Sequence, residues 1–372
     1  MGTGADAVVY AMVVYNGELY VAGYFTLIDG VPANSIAKWN GTTWADVGGG
    51  AYGGIVTLCV YNGALYAGGF FTSAGSTLSH YIAKWDGTNW TQLGTGVSVG
   101  YYPVWSLCVY NNELYVGGDF AAGGGLNTVY LERWNDTNWD SVGLGVNGTV
   151  YSFSVYNNEL YVCGAFTMAG GMPANQMAKW DGTNWSAVGS GTNNYVTALA
   201  TYHGELYAGG AFTTMDGVPA NNIARYDGSN WNAVGSGLSD FIGLHGSLYA
   251  DSSDLYAGGS FDSAGVIPVH HIAKWHTSGT VSINELSNDN GELIIFPNPV
   301  SDKINFHFND ANKTVLKIFD TVGKLLLTKE INSKNSTIDF KNYADGIYFY
   351  QITSSLSLGE GLEVRSGKII KQ

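Results

Sequence analysis

The chain has 372 residues, room for two or three ordinary domains or for one large repeat domain with a smaller companion. Its 52 glycines beside 7 prolines, its 14% aromatic content and its net charge of −14 exclude collagen, a disordered chain and a surface built for phosphate backbones. Residues 1–284 hold 6 Lys+Arg against 19 Asp+Glu, and residues 285–372 hold 10 against 11, so the acidity belongs to the first part. No nucleic-acid partner is expected. No apolar run reaches the roughly 20 residues of a membrane span.

The N-terminal stretch MGTGADAVVY has neither a basic nor an apolar segment of the kind that opens a signal peptide. It aligns instead with the middle of a repeat, since MGTGADAVVYAMVVYNG matches VGSGTNNYVTALATYHG. The repeat is fixed by three aromatic registers. The first is Tyr20, Tyr66, Tyr115, Tyr161, Tyr207 and Tyr256, in steps of 46, 49, 46, 46 and 49 residues. The second follows 19 residues later at Trp39, Trp85, Trp134, Trp180, Tyr226 and Trp275, and the third a further 5 on at Trp44, Trp90, Trp139, Trp185 and Trp231. A period in this range decides the architecture before any other reading.

Within the fifth copy, Val196–Tyr202 is a β-type run ended by the two-residue turn His203-Gly204. Its counterparts are Asn16-Gly17, Asn62-Gly63, Asn111-Asn112 and Asn157-Asn158. Such pairs signal a hairpin, because both turn residues need positive φ. A second strand over 205–212, a third over 222–226, the turn Asp227-Gly228-Ser229-Asn230 and a fourth strand over 231–234 complete the unit. The reading is all-β: a β-propeller of six four-stranded repeats, incomplete at the start and lacking a Trp-bearing fourth strand at the end, with Thr280–Ile283 as a degenerate candidate. The expectation is a fragment or mis-started frame with a signal segment and a fourth strand upstream, and a seventh blade is left open.

The doublets Gly68-Gly69, Gly117-Gly118, Gly209-Gly210 and Gly258-Gly259 mark close backbone approach at the crowded inner part of each blade. The tryptophans fill the wedges between blades. Doublets followed by spaced aromatics resemble kelch-like propellers of the galactose-oxidase superfamily over residues 1 to about 284.

All variation in length falls between one repeat and the next, and the second-to-third connection drifts in sequence. These connections share one face, where a ligand site is expected. Lys38, Lys84, Arg133, Lys179, Arg225 and Lys274 precede the third-strand aromatic and are the whole basic complement of the repeats. Glu18, Glu113, Glu159, Glu205 and Asp254 begin the second strands, so a structural ring of ion pairs is expected, with Ala64 leaving Lys84 without its acid.

Catalytic constellations are missing. The two arginines sit at the repeat position, His270-His271 with His276 is the one local histidine cluster, and Asp29 and Asp216 read as turn formers. Cys59 and Cys108 share a repeat position with Val13, Ser154 and Ala200, while Cys163 replaces the first glycine of a doublet. They read as small buried fillers, and the absence of C-x-x-C leaves no metal, redox or cofactor site to propose.

The boundaries expected are a propeller over 1–279, a linker over 280–292 and a second domain over 293–372. The tail reads as about seven short strands in a small Ig-like β-sandwich. It carries F-P-N-P-V-S-D with Pro297, Asn298, Pro299 and Asp302, a D-x-x-G-K turn with Gly323 and Lys324, D-G-I-Y-F with Gly346 and Tyr348, and G-K-I-I-K with Gly367, Lys368 and Lys371. These residues closely resemble the type A C-terminal sorting domain of type IX secretion in Bacteroidota. The resemblance implies delivery by the type IX machinery to the outer-membrane surface or the medium, usually with removal of the domain. The stretch Ser354–Ser366 departs from the family as a longer last hairpin, with the change expected at a loop tip. The chain is thus read as a secreted or surface protein whose loop face binds protein or glycan, non-catalytic, the rival being a glycan-active enzyme with a carboxylate pair on that face.

Overall fold

The computed structural model describes residues 3–97, 103–120, 129–239, 246–275, 293–296, 300, 302–308, 314–320, 324–355 and 362–371. Among these, every regular element is a strand. The chain divides into two compact units, Met1–His276 and Thr277–Gln372. No helix is long and apolar enough to cross a membrane.

In the first unit, each of the first five repeats forms a four-stranded antiparallel meander. In the fifth these are Val196–Tyr202, Glu205–Gly210, Ile223–Tyr226 and Trp231–Ala233. The expected hairpin turns have the required backbone, with φ of 49° and 77° at His203-Gly204 and 50° and 78° at Asn16-Gly17. The first strands of successive repeats pack side by side. The result is a β-propeller, with the first strand of each sheet innermost.

Two devices join consecutive sheets. Tyr15, Tyr61, Tyr110 and Tyr202, each ending a first strand, donate their hydroxyls to the carbonyls of Gly63, Asn112, Asn158 and Ser253 in the next hairpin, over 2.7–3.0 Å. The indole N–H groups of Trp90, Trp139 and Trp185 donate to Val47, Leu93 and Val142 of the preceding repeat, over 2.8–3.1 Å. Paired with Trp85, Trp134 and Trp180 at centroid distances of 5.2–5.3 Å, these indoles fill the wedges. Phe25, Phe71, Phe120, Phe166, Phe212 and Phe261 occupy one further register and are essentially inaccessible to solvent.

The sixth sheet is three-stranded among the described residues: Ser247–Ala250, Leu255–Gly258 and Ile272–Trp275. Ile272 is 62% exposed there, whereas Ile36 and Ile82, in the same I-A-K-W sequence, are fully buried. The candidate strand Thr280–Ile283, the residues 280–292 read as a linker, and His276 lie outside the described residues.

The second unit is a sandwich of a three-stranded sheet (Leu293–Phe296, Lys303–Phe308, Asn335–Asp339) and a four-stranded one (Leu325–Ile331, Thr314–Phe319, Gly346–Ser355, Leu362–Lys371). Its core joins Ile304, Phe306 and Ile338 of the first sheet to Leu316, Ile318, Tyr350 and Ile369 of the second. The last hairpin pairs over ten positions, from Gly346↔Lys371 to Ser355↔Leu362. Ser354, Ser355 and Leu362–Ser366 are therefore paired strand. The departing stretch thus supplies paired strand on both sides of the hairpin, and its tip, 356–361, where the change is expected, lies outside the described residues.

Candidate functional site

The repeated charges can be placed first. Residues two apart on a strand share a face, so the acid opening the second strand and the tyrosine two positions on point the same way. The basic residue lies directly across from that tyrosine: Lys38↔Tyr20, Arg133↔Tyr115, Lys179↔Tyr161 and Arg225↔Tyr207. This register brings Lys38 to 2.8 Å from Glu18, Arg133 to 3.0 Å from Glu113, Lys179 to 2.8 Å from Glu159, Arg225 to 2.5 Å from Glu205 and Lys274 to 3.5 Å from Asp254. The hydrogen bond to Glu18 raises the Lys38 ammonium above its ordinary value, and that to Glu205 does the same for Arg225. In the fifth repeat the Tyr207 hydroxyl also donates to Glu205, over 3.2 Å.

Lys84 is not left without an acid, contrary to the sequence reading. Asp136, in the third-to-fourth turn of the next repeat, lies 4.0 Å from Lys84 Nζ. Its carboxylate accepts from the Tyr66 hydroxyl at 3.0 Å and from the Asn62 side-chain amide. Asp136 has φ of 74°, at a position where Gly41, Gly87, Gly182 and Gly228 have φ of 98–102°. A carboxylate thus takes a glycine's place in one repeat and stands in for the glutamate missing at Ala64 in another.

The connections with variable sequence form an organised face. Asp6, Asn147 and Asn193, each in the segment leading into a repeat, accept through Oδ1 from two successive backbone N–H groups of that repeat's second-to-third connection, over 2.8–3.0 Å. Those hydrogen bonds hold the Asp6 carboxyl below its ordinary range. Asp216 accepts from Ser190 N and Oγ, both at 2.7 Å, and Asp29 from Thr3 N at 2.8 Å. The aspartates of the D-G-V-P-A-N loops therefore clamp backbone.

Between these clamps opens a cavity of about 180 Å³, lined by residues of all six sheets. Sequence reasoning did not find it. In the first five repeats the first strand carries a register shift at its second residue, as in Val9↔Gly23 followed by Ala11↔Ala22, so that Tyr10 falls between two ladder pairs. The shift recurs at Val56, Trp105, Tyr151 and Thr197. A bulge bends the strand and re-aims the extra side chain. All five bulged residues line the cavity. Opposite each bulge stands the second glycine of the doublet. A Cβ at Gly23, Gly69, Gly118, Gly164 or Gly210 would come within 2.0–2.2 Å of the carbonyl preceding the first strand. The available signal was this: the preceding position is uniformly Val or Ile (Val9, Ile55, Val104, Val150, Val196), while the bulged position is Tyr, Val, Trp, Tyr and Thr in turn.

Aromatic rings run along the rim in contact: Tyr10–Tyr24 at 5.8 Å, Tyr24–Phe70 at 6.0 Å, Phe70–Trp105 at 5.1 Å and Trp105–Tyr151 at 6.4 Å. Burial raises the phenols of Tyr24 and Tyr151, which keeps their hydroxyls protonated. Ser106, Ser152, Thr197 and Ser247 add hydroxyls, and among the described residues the lining contains no charged side chain.

Among the described residues, no three His, Cys, Asp or Glu side chains converge to hold a metal. Cys59, Cys108 and Cys163 are free thiols. Burial pushes Cys59 up to about 11 and Cys108 to about 12, and raises Cys163 as well, so none is a reactive thiolate near neutral pH.

In the second unit, the motif residues meet at the final strand. Gly346↔Lys371, Tyr348↔Ile369, Phe349↔Lys368 and Tyr350↔Gly367 join D-G-I-Y-F to G-K-I-I-K, and Val300 bridges Lys371 in parallel. Lys371 Nζ lies 3.3 Å from Asp345. The Tyr348 hydroxyl donates to Ala344 O over 2.6 Å, and its ring meets Phe340 and Tyr343 edge-on. Asp320 Oδ1 accepts from Lys324 N at 2.9 Å, which closes the D-x-x-G-K turn. Asp302 O accepts from Phe340 N over 2.6 Å. Pro297, Asn298, Pro299 and Gly323 lie outside the described residues.

Residues 294–359 match the secretion system C-terminal sorting domain. The chain thus carries, at its C-terminal end, a domain of the kind that hands proteins to a secretion system for delivery to the cell surface or beyond. Residues 104–245 match the Rax2 C-terminal β-propeller domain, and residues 16–40 match a β-propeller domain of unknown function. No curated protein matches the chain. Among solved structures, PorZ, a surface component of the type IX secretion system of Porphyromonas gingivalis, is 13% identical with a TM-score of 0.42, over 100% of this chain and 60% of that one. The extracellular domain of a two-component-system protein from B. thetaiotaomicron is 12% identical with a TM-score of 0.45, over 98% and 50%. Xyloglucan PUL GH43B of Bacteroides ovatus is 11% identical with a TM-score of 0.32, over 86% and 90%. The chain spans 60% and half of the length of the first two.

Proposed function

We propose that this is an exported binding protein of the Bacteroidota, held at the outer-membrane surface or released. Its kelch-like propeller offers the variable-connection face to a protein or glycan, and its C-terminal domain engages the type IX machinery. The observation that carries the reading is the pairing, in one chain, of a propeller and a sorting domain matched over residues 294–359. The ring of ion pairs serves the scaffold, because each basic residue meets an acid of its own or the next blade and none lines the axial cavity. The rival enzyme reading requires two carboxylates about 5–10 Å apart on the binding face. Among the described residues the axial cavity lining has none.

The test is expression of the full chain, and of a form ending at residue 276, in a host with type IX secretion, each behind the host's own inner-membrane export signal. The full chain should reach the surface or medium and the shortened form should stay in the periplasm. Equal delivery of both would sink the sorting role. Glycan-array and surface-protein capture with the exported chain then tests binding, and hydrolysis of a captured glycan would favour the enzyme.

A further inference from the structure

We propose that the axial cavity is a binding site for one neutral sugar ring, the end or a branch of a glycan; this deepens the binding reading above and rests on it. Three observations carry it. The same strand position is bulged in five repeats, and each bulge turns its side chain into one cavity. The side chains delivered there differ from repeat to repeat, so a symmetric scaffold presents an asymmetric lining. The packing registers do not vary in this way.

The chemistry of the lining selects the ligand class. Tyr10, Trp105 and Tyr151 line the cavity, and Tyr24 and Phe70, outside the lining, join them in a series of ring contacts, with Tyr24 44% exposed and Trp105 half-buried. A pyranose presents an apolar C–H face that stacks on such rings and an equator of hydroxyls that exchange hydrogen bonds with Ser, Thr and Tyr. The protonated tyrosines are donors, and the serines and Thr197 donate or accept. With no charge among the described lining residues, an anionic sugar or a charged peptide terminus would lose its hydration without recovering a partner there. At about 180 Å³ the cavity is smaller than the roughly 300–1,000 Å³ of sites for drug-sized molecules, which limits it to a single ring. The lining residues sit on strands held in paired ladders, so little ordering accompanies binding.

The test is titration of the full chain, by calorimetry and saturation-transfer NMR, with methyl glycosides of glucose, galactose, mannose, N-acetylglucosamine and glucuronate, and with neutral apolar tripeptides. Saturable binding of a neutral glycoside is expected, with glucuronate at least tenfold weaker. Trp105→Ala and Tyr151→Ala should each weaken it tenfold or more, and Trp105→Phe by less than threefold. Val56→Tyr, which adds a ring without removing packing, should tighten it about threefold. Thermal melts verify folding, and Val56→Tyr keeps the test valid if a truncation unfolds the chain. Absence of saturable neutral-glycoside binding, or affinity unchanged by both Trp105→Ala and Val56→Tyr, overturns the site. Tripeptide binding that depends on Trp105 overturns it in favour of a peptide. If the Trp105→Ala chain still captures its surface partner, the axial site falls and the binding role stands; if the intact chain captures nothing, the binding role falls first.

Discussion

At the scale of single residues, the repeated triad of acid, tyrosine and base shows what one substitution does to a symmetric design. Where the acid opens the second strand, a partly exposed ion pair is satisfied inside one blade, joined by the Tyr207 hydroxyl in the fifth repeat, a modest contribution of about 0.2–1 kcal/mol for the pair. Ala64 removes the acid and Asp136 returns one from the neighbouring repeat, in a left-handed backbone that favours glycine. We expect Asp136→Gly to destabilise by about 1–2 kcal/mol, because the Tyr66 hydroxyl and Lys84 lose their acceptor. Ala64→Glu added to it should recover most of that loss, and a urea-unfolding double-mutant cycle reads the coupling. The turn aspartates Asp86, Asp181, Asp227 and Asp251 each accept two backbone N–H bonds that hold their carboxyls below the ordinary value. With the folded value lowered, their stabilisation is complete above the unfolded value of about 3.9 and lost as pH falls through the folded values. The melting temperature should therefore be flat between about pH 5 and 8 and fall below about pH 4, and melts across that range check it.

At the scale of elements, the first-strand bulge and the glycine opposite it are one device. The first glycine of the doublet gives way to Ala22 and Cys163 in two repeats, but a Cβ at Gly68 would lie 2.5 Å from the buried Val104 side chain and 2.8 Å from that of Thr57, which would have to repack. The second meets backbone, because a Cβ at Gly69 would lie 2.2 Å from Gly54 O. Gly69→Ala should cost more than about 3 kcal/mol and Gly68→Ala about 1–3 kcal/mol, measured by urea unfolding. Turns and strands were legible in the sequence because they follow local rules. Asn16-Gly17 needs positive φ, and the aromatic registers repeat by number. The bulge was not legible, because it is a matter of which carbonyl meets which N–H across the hairpin, and no residue type encodes it. The partner of Lys84 was hidden for another reason: it lies in the following repeat, so a search within each unit looks in the wrong place. Ser354, Ser355 and Leu362–Ser366 were not legible as strand because the serines read as loop, yet these residues continue an existing ladder.

At the scale of the molecule, inter-repeat hydrogen bonds make neighbouring sheets interdependent. Trp90→Phe keeps most of the packing and strands the Val47 carbonyl, for an expected loss of about 1–3 kcal/mol. Because the stitches from Tyr15, Tyr61 and Tyr110 run on through the series, the loss should shift a single unfolding transition rather than release one sheet. Hydrogen exchange resolved by segment would show whether protection falls together across residues 9–202. The reach of Asp136 into the preceding repeat has a genetic counterpart. Repeat arrays grow and shrink when misaligned copies recombine, and units satisfied within themselves can be gained or lost without harm. A crossover that inserted or removed a unit between the second and third would part Lys84 and Tyr66 from their acid. The substitution therefore fixes two units as an ordered couple, and any lineage that changes its repeat number is expected to change it elsewhere in the array.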